Sequence, residues 1–339
     1  MKKTLLVFSI LLSSILLLGQ TKIDSLVQIG IQYHDNGKYE QAIEAYKKAL
    51  KINPKSSLIN YELALSYMYY GDYKKSIKHS DFVIKQDDEN LMAAYITKAS
   101  SLDNLGKTDE SIELFEKAIK KFGNNYSLLF NLAVNYVKIN NYEKAEPALI
   151  DAIYDNPNHA SSHRLLAIIK REQNQRVQSL LGQYYFLFLE PNSQRAAAAF
   201  ESLKGQLGGN VQVDESDEMK ININVNPLHL ESEFSSAEMM IEMLVASNLL
   251  EENKGKSVEE LFIDNTKSFF NVLGELKEQK DGEGLWWDFY IPFFYKLAQS
   301  EYIDVFCHYI SLSSNENSRN WIESNIEKFE SFENWLNED

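Results

Sequence analysis

The sequence predicts an all-α protein, a stack of helical hairpins followed by a separate helical region. A local pattern returns every 34 or 35 residues from residue 23 to about residue 193. Within each period apolar residues recur at three- and four-residue spacing, which places them on one face of a helix. Turn-forming residues break each period near its middle and again at its end. Similarity at a fixed period of this length marks a repeat architecture. The register is explicit. Ala42, Ser76, Ser111, Ala145 and Ser179 head equivalent helices, with Tyr39, Tyr73, Thr108, Tyr142 and Arg176 three residues earlier. Gly37, Gly71, Gly106, Asn140 and Asn174 stand five residues before the heads, and the small residues Gly30, Ala64, Ala99, Ala133 and Ala167 stand twelve before. Pro54, Asp88, Gly123, Pro157 and Pro191 follow twelve residues after them.

The first unit shows how the pattern builds structure. Leu26, Ile29, Gly30 and Tyr33 mark one face of a first helix. Asp35-Asn36-Gly37 is a turn, and Tyr39, Ala42, Ile43, Tyr46, Ala49 and Leu50 mark a second amphipathic helix. Asn53-Pro54 ends it, because proline cannot continue a helix and biases the residue before it away from helical geometry. Gly30 and Ala42 sit where the two helices cross closely, and the tyrosines fill the space beside the crossing.

Gly30, Tyr33, Gly37, Tyr39, Ala42, Tyr46, Ala49 and Pro54, with Leu26 in place of the frequent tryptophan, resemble the signature of the tetratricopeptide repeat (TPR) family. Five units follow that register: 23–56, 57–90, 92–125, 126–159 and a degenerate 160–193. The resemblance implies a right-handed α-solenoid, since no unit buries its apolar face alone and stacked neighbours do. It also implies that the first helices line a concave groove. The groove candidates are Val27, Ile31, Tyr61, Leu65, Met68, Tyr69, Ile96, Asn104, Phe130, Asn131 and Lys138. A subclass of the family holds a peptide's terminal carboxylate with lysine, arginine and asparagine in that groove. Here the matching sites are Val27, Ile31, Ala93 and Thr97, so that clamp is absent.

Beyond Pro191 the period stops. Residues 194–234 read as a capping helix, since such arrays need a polar-faced cap, followed by a linker. In the linker Ile221, Ile223 and Val225 alternate with asparagines, the pattern of a half-buried strand, and Val211-Gln212-Val213 is its nearest partner for a small β-hairpin. The acidic run Asp214–Glu218 between them lacks the spacing of a calcium loop. Residues 235–339 read as an acidic helical bundle with helices near 235–252, 257–279, 285–300, 301–313 and 318–337. Ser235 with Glu238 and Ser257 with Glu260 have capping-box spacing. Leu285 to Tyr295 is apolar on all sides, which reads as a central buried helix, kinked at Pro292. Trp286, Trp287 and Asp288 within it form a secondary aromatic site candidate.

Composition and charge narrow the function. Hydrophobic residues make up 44% of the 339 and aromatic residues 12%, enough for substantial cores. Residues 1–193 hold 23 basic and 21 acidic side chains, whereas residues 194–339 hold 11 and 28. All the net negative charge thus lies C-terminally, which disfavours nucleic acid and anionic lipid as partners. Lys2 and Lys3 precede an apolar run to Leu18, and Gly19 offers a small residue for cleavage. Residues 1–19 therefore read as a signal peptide and the protein as exported, periplasmic or secreted, with no integral membrane span after cleavage. The lone Cys307 precludes an internal disulfide. No His-Glu-x-x-His, Gly-x-Ser-x-Gly or Gly-x-Gly-x-x-Gly motif is present, and His159 and His163 lack a nearby third ligand. The chain reads as a non-enzymatic adaptor for a protein or peptide partner, with no cofactor and no metal. The alternative is an exported enzyme or carbohydrate-binding protein with its site in the C-terminal helical domain.

Overall fold

A computed structural model describes residues 21–208, 211–213, 221–223, 233–248, 253 and 255–338. The signal-like segment and the acidic run 214–218 lie outside the described residues. The chain divides into two compact units, Met1–Ala152 and Ile153–Asp339. Among the described residues the fold is all-α apart from one two-stranded antiparallel sheet.

The first unit is built from helical hairpins. Helix α1 covers residues 21–35, followed by α2 (Tyr39–Ile52), α3 (Ser57–Tyr70), α4 (Tyr73–Gln86), α5 (Leu91–Asn104), α6 (Thr108–Phe122), α7 (Tyr126–Lys138) and α8 (Tyr142–Asp155). Each first helix ends on the glycine or asparagine of the repeat. Gly37, Gly71 and Gly106 have φ of 70°, 90° and 79°, and Asn140 has φ of 57°. In this left-handed region a Cβ is costly except for asparagine and few others. The N–H of the next residue then reaches back five positions, as in Lys38 to Tyr33 O (2.8 Å), Asp72 to Tyr67 O (2.9 Å), Lys107 to Leu102 O (3.0 Å) and Asn141 to Tyr136 O (2.8 Å). These bonds satisfy carbonyls that a helix end leaves free.

The small residues set the spacing within each hairpin. A Cβ on Gly30 would lie 2.4 Å from Cε1 of Tyr46, a fully buried ring. In α6 the serine hydroxyl crosses to the partner helix, and Ser111 Oγ donates to Ala99 O at 2.7 Å. Serines at this register position join one hairpin to the next. Asn135 Nδ2 donates to Ser111 Oγ at 2.6 Å, and Ser101 Oγ lies 2.8 Å from Ser76 Oγ.

The second unit contains α9 (Ala160–Glu172), α10 (Arg176–Leu189) and α11 (Gln194–Leu207), then strands β1 (Val211–Val213) and β2 (Ile221–Ile223). The strands pair antiparallel, with Gln212 opposite Asn222. Helices α12 (Ser235–Ser247), α13 (Val258–Gln279), α14 (Ile291–Gln299), α15 (Ile303–Ile310), α16 (Glu316–Ser324) and α17 (Ile326–Leu336) complete it. The turn Asn174, at φ 59°, and the bond from Ser179 Oγ to Ala167 O at 2.9 Å preserve the hairpin signature in α9 and α10. Every residue of α10 from Val177 to Leu187 is buried. Tyr184 meets Phe270, Phe294 and Phe306, and Tyr185 meets Phe289 and Phe293. The fifth repeat unit looks degenerate because its second helix is packed on all sides and carries large rings where its predecessors carry exposed polar residues.

Several local expectations change. Ser257 and Glu260 form the full capping box, whereas Ser235 and Glu238 do not. Glu238 is taken by Arg176 Nε at 2.7 Å and by the Val177 N–H at 3.2 Å. The predicted helix 285–300 is a π-helical turn, Trp286–Tyr290, followed by α14. Pro292 has no N–H to donate, and the turn before it widens so that the Ile291 N–H reaches Trp286 O. The predicted helix 318–337 breaks at Asn325, whose amide side chain donates to Trp321 O at 2.8 Å and competes with the helical ladder. Among the described residues no helix is long and apolar enough to cross a membrane.

Two substitutions test these contacts. Gly30→Ala forces Tyr46 to shift and is expected to lower stability by about 1–3 kcal/mol, read from chemical denaturation. Arg176 also reaches Glu242 at 2.8 Å, and both carboxylates are buried. Arg176→Met removes the guanidinium that pairs with both and is expected to cost about 3–5 kcal/mol, while Arg176→Met with Glu238→Leu and Glu242→Leu recovers most of the loss.

Candidate binding surface

Helices α3, α5 and α7 are the first helices of successive hairpins, and each packs against the next. Their outward positions therefore share one surface. Tyr61, Leu65 and Met68 on α3, Ile96 on α5, and Phe130 and Asn131 on α7 are each half-buried, with part of the side chain held by packing and part open. Tyr69, Asn104 and Lys138 are exposed. Ile31, on α1, is also half-buried. Burial, reinforced by the charge of Glu62, raises the Tyr61 hydroxyl above its ordinary pKa, so it stays a neutral donor. Tyr69 stacks on Tyr39 at 5.4 Å, with His34 edge-on at 5.3 Å. Burial lowers the His34 pKa and favours its neutral imidazole.

The polar candidates are partly engaged. Lys138 Nζ lies 2.8 Å from Asp103 Oδ1. The Asn131 and Asn104 amides donate to the carbonyls of Ser127 and Ser100, four residues back. Val27 does not belong to the surface. It is 6% exposed and sits in a core with Ala42, Ile43, Tyr46 and Leu63. The helical face that closes α1 onto α2 includes position 27, so its side chain is consumed inside the hairpin.

The periodic pattern missed a concavity elsewhere in the first unit. A cavity of about 630 Å³ lies among α4, α5 and α6, with Ile77, Leu102 and Leu114 as its apolar lining and Lys74, Lys98 and Lys117 around it. The signal available in the sequence was the pair Ile77 and Leu114, apolar residues on second helices outside the small-residue positions.

Residues 30–71 match a family model described as TPR repeat, and residues 105–169 match one described as tetratricopeptide repeat. The N-terminal segment is a tetratricopeptide-repeat array. Among curated proteins, the BBSome complex member BBS4 of Bos taurus is 28% identical over 137 residues, 40% of this chain and 26% of that protein. A TPR repeat-containing protein of Methanocaldococcus jannaschii is 24% identical over 278 residues, 71% of this chain and 49% of that protein. The chain thus spans about a quarter and about half the length of these two relatives. Among solved structures, a thermophilic TPR protein of Thermus thermophilus aligns at TM-score 0.47 and 16% identity, over 55% of this chain and 98% of the other. MamA aligns at TM-score 0.41 and 20% identity, over 50% and 92%.

Outside the TPR segment, the tryptophan candidates turn inward. Trp287 is 1% exposed, stacks on Phe234 at 4.9 Å and donates its ring N–H to Glu233 at 2.9 Å. Trp286 is buried against Tyr290 at 5.3 Å, with Lys170 Nζ 5.5 Å from its ring centre. Neither ring offers an open face, in keeping with the central buried helix read from the sequence and against the secondary aromatic site. Asp288 is exposed, accepts the Gly284 N–H at 2.7 Å and lies 3.6 Å from Lys277. Its place at the solvent edge spares it a desolvation penalty.

Two histidines in the second unit carry chemistry-bearing neighbours. His308 Nδ1 is 3.1 Å from Ser318 Oγ, but Ser318 is 1% exposed and Ser311 also bonds it at 2.8 Å. The cavity beside them holds only about 80 Å³, too little for a substrate. His163 is fully buried with both ring nitrogens committed, Nδ1 to the Tyr290 hydroxyl (2.6 Å) and Nε2 to Pro157 O (2.8 Å). It is therefore unavailable to a metal shared with His159.

Burial lowers the His163 pKa from 6.5 to about 4. Folded His163 thus stays neutral where the unfolded chain would bind a proton. Its contribution to stability is fully present above pH 6.5 and is lost as pH falls toward 4, in total about 3 kcal/mol. Urea midpoints measured from pH 7 to pH 4 are expected to fall less steeply for His163→Gln than for the wild type.

Proposed function

We propose that this chain is an exported, non-enzymatic adaptor that binds a partner protein or an extended peptide across the outward face of α3, α5 and α7. The observation that carries the reading is the half-open state of Tyr61, Leu65, Met68, Ile96 and Phe130 on three adjacent first helices. Apolar and aromatic side chains that packing leaves partly exposed on one continuous surface are what an interaction site requires. TPR scaffolds recognise protein segments, and here the missing carboxylate clamp favours contacts along a segment over capture of its terminus. Export rests on the basic, apolar and small-residue order of residues 1–19. The acidic C-terminal part, with 28 acidic against 11 basic side chains in residues 194–339, supplies a second contact surface suited to a basic partner.

Affinity capture from the native envelope, quantified by mass spectrometry, tests this reading. Tyr61→Ala with Tyr69→Ala is expected to reduce recovery of the wild-type partner by about tenfold or more, as for loss of an aromatic hot spot. Unchanged recovery from a folded double variant would remove this surface from the function.

A further inference from the structure

One register position of the array carries an apolar side chain in every unit but the third. Thirteen residues before the second-helix heads stand Ile29, Leu63, Leu132 and Leu166, and the three leucines are at most 7% exposed. The third unit has Lys98 there. A lysine keeps its charged head out of apolar contacts. Lys98 Nζ lies 2.7 Å from Asp81 Oδ1 on α4, with its side chain 24% exposed. The leucine that closes this position in neighbouring units is thus missing, and Lys98 lines the cavity of about 630 Å³ among α4, α5 and α6. That volume lies within the range of ligand sites. Of its apolar residues, Leu102 is buried, Ile77 and Leu114 are half-buried, and Leu105 is exposed.

The charge around this cavity runs against that of the chain. Its lining holds four lysines and two glutamates, in a chain of net charge −15. Asp81 holds Lys98, and Glu110 holds Lys107 at 2.7 Å. Among the described residues no ion pair engages Lys74 or Lys117, and Glu113 is the lining carboxylate that also stays unpaired. Lys74 stands three residues before Ile77 on α4, and Lys117 three residues after Leu114 on α6. That spacing places each lysine on the same helix face as its apolar neighbour. Both second helices therefore present an apolar side chain with a free ammonium beside it. An apolar cleft with a surplus of positive charge selects an occupant that carries large apolar side chains and carboxylates together, and it rejects a basic one.

We propose that the cavity among α4, α5 and α6 docks an acidic amphipathic segment of a partner protein. Its apolar side chains cover Ile77, Leu102 and Leu114, and its carboxylates pair with Lys74 and Lys117. Ile96 and Asn104, the α5 members of the face formed by α3, α5 and α7, lie outside the lining, so the site stands independently of that face. A small amphiphilic anion is the competing occupant, and the test separates the two.

The full chain is titrated with the peptide acetyl-Glu-Glu-Leu-Leu-Glu-Glu-Leu-Leu-Glu-amide while the methyl signals of Ile77, Leu102 and Leu114 are followed by NMR. A saturable shift of all three is expected. Binding is expected to be about tenfold weaker when glutamine replaces each glutamate of the peptide, and to be lost when serine replaces each leucine. Lys74→Glu with Lys117→Glu changes two exposed side chains, so its melting temperature is expected to match the wild type while it binds the acidic peptide about tenfold or more weakly. Tyr61→Ala with Tyr69→Ala is expected to leave this binding unchanged, so the two surfaces stand or fail separately. No saturable shift at the three methyls, equal binding of the glutamate and glutamine peptides, or wild-type affinity in the folded Lys74→Glu, Lys117→Glu variant would overturn the proposal. Loss of binding in Tyr61→Ala with Tyr69→Ala would also overturn it, by assigning the peptide to the other face. So would tighter binding of dodecanoate than of the peptide at the same methyls, which would assign a small amphiphilic anion instead.

Discussion

The close crossing of two helices within each hairpin is the constraint on which the repeat array depends. The crossing needs a small residue on both helices twelve positions apart, and a turn between them that only a left-handed residue completes. Gly30 meets the first need by leaving space for the Tyr46 ring, and Gly37 meets the second. At Ser111 and Ser179 the serine hydroxyl bonds the carbonyl across the crossing, so a polar atom enters the core with its partner already present. Ser76 and Ser111 extend this outward to Ser101 and Asn135 of the next hairpin. The inter-repeat interface thus combines apolar burial with directional bonds that fix its register.

The second unit solves a different problem with the same starting motif. Its first hairpin, α9 and α10, retains the turn and the crossing, but α10 is enclosed by α13, α14 and α15 through a dense set of rings. Enclosure brings polar groups into the interior, and several of them pair with one another. Arg176 lies between Glu238 and Glu242, His163 between Tyr290 and Pro157, and the Tyr184 hydroxyl lies 2.8 Å from Thr266.

The first unit has an exposed helical face and a cavity with different chemistry. The face of α3, α5 and α7 is aromatic and aliphatic with few charges. The cavity among α4, α5 and α6 has an apolar lining edged by lysines, although Lys98 and Lys107 are held by Asp81 and Glu110. The family register directs attention to the first helices because their outward residues recur with the period. The cavity depends on side chains that differ from one repeat to the next.

The 34-residue register, the left-handed turns, the small-residue crossings and the 211–213/221–223 hairpin could all be read from the chain, because each is a local demand on a few neighbouring residues. Gly37 and Asn140 declare their backbone geometry without reference to anything distant. The destinations of side chains required the tertiary structure. Val27 and Ile31 occupy the same helix face by spacing, yet one is core and the other half-open. Glu238 has the spacing of a cap but is taken by Arg176, 62 positions earlier. Trp286 and Trp287 lie in a stretch whose all-round apolar pattern reads as core, and Tyr290 and Phe234 are the rings that cover them. Burial and pairing between distant residues arise from how helices pack, and helical period alone carries no information about which neighbour arrives.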